Sequence, residues 1–125
     1  MADHIPAFDW EVRKVWALTA PVERWPLDAL SYLLDLPIWT AEAGVGCLFD
    51  LRPRDVLADP SRSPRHTRRI EAAELRWPLD FLADGDRLYV LDGIHRLAKH
   101  TRQGSATVPI RRHPLGVRER ILRDA

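Results

Sequence analysis

Residues 87–113 read RLYVLDGIHRLAKHTRQGSATVPIRRH, and this stretch decides the fold. Leu88, Tyr89, Val90 and Leu91 form a short apolar run with β-formers at its centre, the pattern of a buried strand. Asp92-Gly93 stops it. From Ile94 the apolar positions recur at Ile94, Leu97, Ala98 and Thr101, the stripe of an amphipathic helix, and Gly104 stands where a C-terminal cap belongs. Val108-Pro109-Ile110 reads as the next strand. A strand that turns through glycine into a helix is an anion-binding junction. The first amides of a helix lack intrahelical partners and carry about half a positive charge, so the amides of Ile94, His95 and Arg96 can receive a phosphate. Gly93 lets the backbone approach closely, His95 adds a titratable donor and Arg96 a permanent bidentate one. The same spacing also suits a plain turn, with Asp92 as an N-cap and His95 and Arg96 as a solvated first turn.

Outward from the junction, Trp77 to Leu82 is strand-like, and Ala83-Asp84-Gly85-Asp86 supplies a hairpin turn that returns the chain antiparallel through Arg87 to Leu91. Before it, residues 65–75 read as a helix with His66, Arg68 and Arg69 along one polar edge. Arg68 and Arg69 could hold a polyphosphate tail there, or simply face solvent. Arg52 to Leu57 is a short helix opened by Pro53, and residues 59–64 form a turn-rich connector. Residues 38–50 read as a loop that packs Trp39 and covers a pocket. Val22 to Leu27 is a strand leading to Asp28, a candidate N-cap, and Leu30, Leu33 and Leu34 mark a helix ending before Pro37. Residues 12–18 suit a strand or a short helix. Residues 1–11 form an arm tacked down by Phe8 and Trp10, and residues 12–125 one domain. Residues 117–122 close the chain as an amphipathic helix.

Composition narrows the function. At 125 residues the chain can bury one core, and a net charge of +1 creates no global field for nucleic acid or an anionic membrane. Seventeen of the 19 basic residues are arginine, which suits phosphate chemistry but equally reflects arginine-rich coding. The lone cysteine, Cys47, excludes an intramolecular disulfide and makes no zinc signature, so no metal-ligating residue is assigned. No apolar run approaches the roughly 18 residues of a spanning helix, and the expected location is cytoplasmic. Five tryptophans are many for this length. Most belong in the core, while Trp39 or Trp77 could stack on a ligand ring.

The ordered set Leu91-Asp92-Gly93-Ile94-His95-Arg96-Leu97-Ala98, then Gly104 and Val108-Pro109-Ile110, resembles the signature of the ParB-like/sulfiredoxin-like superfamily, strongest over residues 86–112. In that superfamily a strand, a G-x-x-R or D-G-x-H-R turn and a helix bind nucleotide phosphates. Ile94 stands where sulfiredoxins carry their reactive cysteine, and His95 where ParB partition proteins carry arginine. The turn is most similar to the D-G-H-H-R of the free-serine kinases, with Ile94 replacing the first histidine, and Glu23 falls near their catalytic glutamate. The resemblance implies an α+β fold, a small mixed sheet with surrounding helices. It also implies a nucleotide di- or triphosphate with Mg²⁺, phosphoryl transfer or nucleotide hydrolysis, and a small-molecule acceptor. On this reading Gly93, Ile94, His95 and Arg96 hold phosphate, Asp92, His95 and Glu23 are the catalytic candidates, and Asp92 or Glu23 accepts the nucleophile's proton. Bound polyphosphate would protonate a His95 kept neutral by the helix dipole. Two other classes remain open: a DNA-binding or nuclease module using the same turn, and a non-catalytic regulatory partner.

Overall fold

The computed structural model describes residues 4–39 and 50–124. Within them the protein is α+β, with a mixed four-stranded sheet and helices on both faces. The strands are β1 (Val22–Pro26), β2 (Leu79–Asp84), β3 (Arg87–Asp92) and β4 (Thr107–Pro114), in the order β1-β4-β2-β3. The helices are α1 (Val12–Trp16), α2 (Pro53–Ala58), α3 (Pro64–Ala72), α4 (Ile94–Gln103) and α5 (Arg118–Ile121).

β2 and β3 form the expected antiparallel hairpin, turning at Gly85, whose φ of +59° suits a residue without a side chain. α4 then carries the chain over the sheet to β4, which pairs parallel with β2 on one side and antiparallel with β1 on the other. Helix α4 ends at Gly104, left-handed at φ +74°, as its sequence predicts.

Alternation along the strands gives the sheet two apolar faces. Phe81 and Val90 point into a core with Leu30, Leu33, Leu34, Val56, Ile70 and Leu97, beneath α2, α3 and α4. Leu82 and Leu91 point the other way, against Val15, Leu18, Val117 and Ile121, with Phe8, Trp10 and Tyr89 packed around them. The arm before α1 is tied to the C-terminal residues: Trp10 bridges Leu122, and Glu11 N–H donates to Ile121 O at 2.8 Å.

Two expectations change. The segment after β1 forms two 3₁₀ turns, Leu27–Ala29 and Ser31–Asp35, joined at Leu30, and not an α-helix begun by Asp28. No side chain caps either turn, and the pair of turns still buries all three leucines. α3 stops at Ala72, where Lys99 Nζ donates to Glu71 O and Ala73 O at 2.8 Å and takes up carbonyls of its last turn. The expected pocket-covering loop and Cys47 lie outside the described residues, except for the loop's ends, where Trp39 and Leu51 pair in an isolated bridge. Among the described residues no helix is long and apolar enough to cross a membrane.

Candidate functional site

A register irregularity places the first component of the site. Regular antiparallel pairing from Phe81 and Val90 would set Asp80 opposite Leu91. A bulge between Asp80 and Phe81 sets it opposite Asp92 instead. Because β4 aligns Arg111 with both Asp80 and Val22, one row, Val22-Arg111-Asp80-Asp92, crosses all four strands. All four residues line a cleft of about 920 Å³.

Each carboxylate of the row has an arginine partner, Arg111 within it and Arg96 beside it. Asp80 is 2% exposed, and its Oδ1 accepts from Arg111 Nε at 2.7 Å and from His113 Nε2 at 2.8 Å. Arg111 also donates to Leu18 O at 2.8 Å and Val15 O at 3.3 Å, so it ties the end of α1 to the sheet. Next along, Asp92 Oδ2 accepts from Arg96 Nη2 at 2.7 Å and from Trp16 Nε1 at 2.8 Å. Arg96 Nη1 donates to Pro78 O at 2.7 Å. Arg96 therefore clamps the first turn of α4 to the start of β2, and both of its terminal nitrogens are committed within the protein.

Gly93 is the N-cap of α4, at φ +119°, and no side chain caps the helix. Asp92 is thus not the cap. A Cβ on Gly93 would lie 2.8 Å from Leu79 Cγ and 3.1 Å from Leu79 Cα, so close backbone packing against β2 demands glycine here before any ligand does. The uncapped first turn opens on the 920 Å³ cleft, and Asp92, Gly93, His95 and Arg69 also line a second concavity of about 290 Å³.

The polar edge expected on α3 divides. His66 is 3% exposed: its Nδ1 shares a 2.9 Å hydrogen bond with His95 Nε2, and its ring stacks on Trp39 with centroids 4.2 Å apart. Trp39 stacks on His95 as well, at 4.4 Å, so its indole is occupied by two imidazoles and is not a platform for a ligand. Arg68 is exposed and lies outside the cleft lining. Arg69 lines both concavities, and no hydrogen bond or ion pair to a described residue holds its guanidinium.

Burial pushes the His95 pKa down to about 3, reinforced by Arg69, His66, Arg65 and Arg96. His95 is neutral at pH 7 as expected, but chiefly because it is buried. With the value so low, the imidazole of the unliganded protein is neutral throughout pH 6–8.

Glu23 is remote from this constellation. It lies on the opposite edge strand, where its carboxylate accepts from Arg112 Nε at 2.7 Å and Nη2 at 2.8 Å, and it does not line the cleft. Those hydrogen bonds hold its carboxyl below the usual range. The structure brings together Asp92, Gly93, Ile94, His95, Arg96 and Arg69, and separates Glu23 and Arg68 from them. Sequence reading missed Asp80, whose only signal was a charge inside an expected strand, and Arg111 and His113, which lie past the expected Val108–Ile110 strand on the longer β4. It also missed Trp16 as part of the cleft wall. Comparison of the chain with known protein families, curated proteins and solved structures returns no match.

Proposed function

We propose that the protein is a ParB/sulfiredoxin-like domain that seats the phosphates of a nucleoside di- or triphosphate on the Gly93–Arg96 turn, with phosphoryl transfer or nucleotide hydrolysis as its chemistry. The observation that supports this best is the meeting, on one cleft wall, of the uncapped start of the ten-residue helix α4 with the guanidinium of Arg69, unengaged among the described residues. Helix amides give directed donors and partial positive charge, and Arg69 a full charge that can follow a polyphosphate. Arg96 serves this reading indirectly, by holding the turn in place.

Asp92 keeps Oδ1 outside its bonds to Arg96 and Trp16, so that oxygen is an available acceptor for a nucleophile's proton beside the turn. Mg²⁺ fits on modest terms. It commonly takes one or two carboxylates and otherwise phosphate and water oxygens. Asp92 could supply one oxygen, and among the described residues no group of three His, Cys, Asp or Glu side chains converges. A bound Mg²⁺ would supply charge neutralisation on the phosphates.

The test is calorimetric titration of ADP and ATP with Mg²⁺ into wild type, Arg69→Ala and Arg68→Ala. Arg69→Ala weakens binding by about 1.5–3 kcal/mol, the range for a hydrogen bond to a charged group, while Arg68→Ala leaves it unchanged. Equal affinities in wild type and Arg69→Ala overturn the reading. Submicromolar binding to duplex DNA, falling with a log-log salt slope of about −0.9 per contact, would assign the turn to a nucleic-acid backbone instead.

A further inference from the structure

The cleft lining includes apolar surface that the phosphate reading leaves unused. Trp16 and Trp77 both line it, and they are 57% and 54% exposed. Each indole N–H is already committed to a carboxylate: Trp16 Nε1 to Asp92 Oδ2 at 2.8 Å, and Trp77 Nε1 to Glu74 Oε2 at 3.2 Å. The polar edges are therefore pinned, and what the rings offer the cleft is apolar surface. Trp77 is further steadied by the Arg76 guanidinium, 5.0 Å from its ring centroid. Trp16 sits at the end of a short helix whose following carbonyl, Leu18 O, and whose Val15 O are held by the partly buried Arg111. The lining beside the indoles is small or apolar, with Ala72, Ala73 and Pro78.

We infer that Trp16 and Trp77 form a stacking subsite for the planar heteroaromatic base of the ligand whose phosphates lie on the Gly93–Arg96 turn, an inference that rests on the phosphate reading. Water wets such indole faces poorly, and a base has a π-face that covers them whatever its hydrogen-bonding edge. The two subsites are physically continuous, because Trp16 donates to the same Asp92 oxygen that Arg96 holds. The cleft volume of about 920 Å³ lies within the usual range for small-molecule sites, about 300–1,000 Å³.

The experiment titrates ADP, GDP, adenosine and inorganic pyrophosphate into wild type, Trp77→Ala, Trp77→Phe and Trp16→Phe by calorimetry. Trp77→Ala weakens ADP and GDP about tenfold or more, the scale of one base stacked on an aromatic ring, and leaves pyrophosphate unchanged. Trp77→Phe and Trp16→Phe, which keep a ring face, retain most of the affinity. Pyrophosphate binding that depends on Arg69, with nucleotide affinity indifferent to Trp77→Ala, overturns the base subsite and leaves the phosphate site standing. Adenosine binding lost in Trp77→Ala, with no pyrophosphate binding, supports the aromatic subsite and removes the phosphate site. Failure of all four probes to bind overturns both.

Discussion

Replacing Gly93 with alanine tests the junction on which the fold turns. The residue has φ +119°, where an L-residue is strained by about 1–3 kcal/mol. Its new Cβ would stand 2.8 Å from Leu79 Cγ and 3.1 Å from Leu79 Cα. A flexible side-chain tip could swing aside, but Cα belongs to β2 and moves only with the strand, so a further overpacking cost of about 1–3 kcal/mol follows. The sum, about 2–6 kcal/mol, is a large share of the roughly 5–15 kcal/mol that stabilises a domain. Gly85→Ala is the control. Its φ is +59° and no atom lies within 4 Å of where the added methyl would stand, so it bears the left-handed cost alone, about 1–2 kcal/mol. Urea unfolding followed by tryptophan emission and far-UV circular dichroism reads both. With a urea m-value of about 2 kcal/mol/M, Gly93→Ala moves the midpoint down by about 1–3 M and Gly85→Ala by less than about 1 M. Equal losses in the two variants would refute the argument that Leu79 imposes glycine at position 93.

Two further outcomes follow from the charges. Asp80→Ala removes a 2%-exposed carboxylate shared by Arg111 and His113, and leaves Arg111 without its partner in the sheet. It costs about 3–5 kcal/mol by urea unfolding, whereas Glu23→Gln, at an exposed pair, barely shifts the midpoint. His95 titrates near 3 in the folded protein against about 6.5 unfolded, so below pH 6.5 the unfolded chain takes up a proton that the native ring refuses. Wild type therefore loses stability as pH falls from about 6.5 toward 3, by at most about 1.4 kcal/mol per pH unit for this proton. Unfolding midpoints at pH 7, 5 and 4 should converge on a shallower slope in His95→Gln, and parallel slopes would show that His95 is accessible to protons in the native state.

Local patterns determined a good deal on their own. The strand leading to the Asp92-Gly93 turn, the helix from Ile94 capped by Gly104, the β2–β3 hairpin at Gly85 and the strand through Val108 to Ile110 were legible from periodicity and glycine placement. Those features depend on neighbours within a few residues, and the backbone rules that govern them act at that range. The need for glycine at position 93 was legible too, but its cause was not, since Leu79 is distant along the chain and meets Gly93 only once β2 and β3 have paired.

The tertiary structure decided which charges face one another. One bulge exchanges Leu91 for Asp92 opposite Asp80, and sequence has no marker for a register shift of one residue. That shift, with the parallel pairing of β2 and β4, assembles the Val22-Arg111-Asp80-Asp92 row from four separate strands. His66 looked like part of a polar helix edge because a histidine's polarity is visible in the sequence, while the Trp39 and His95 rings that bury it come from distant segments. For the same reason Arg96 and Arg69, both candidate phosphate donors by sequence, part ways in the structure. Both are arginines beside the turn, but only packing reveals that Pro78 and Asp92 occupy Arg96 and that Arg69 is left facing the cleft. Residue type sets what chemistry a side chain can perform, and long-range pairing sets whether its atoms are free to perform it.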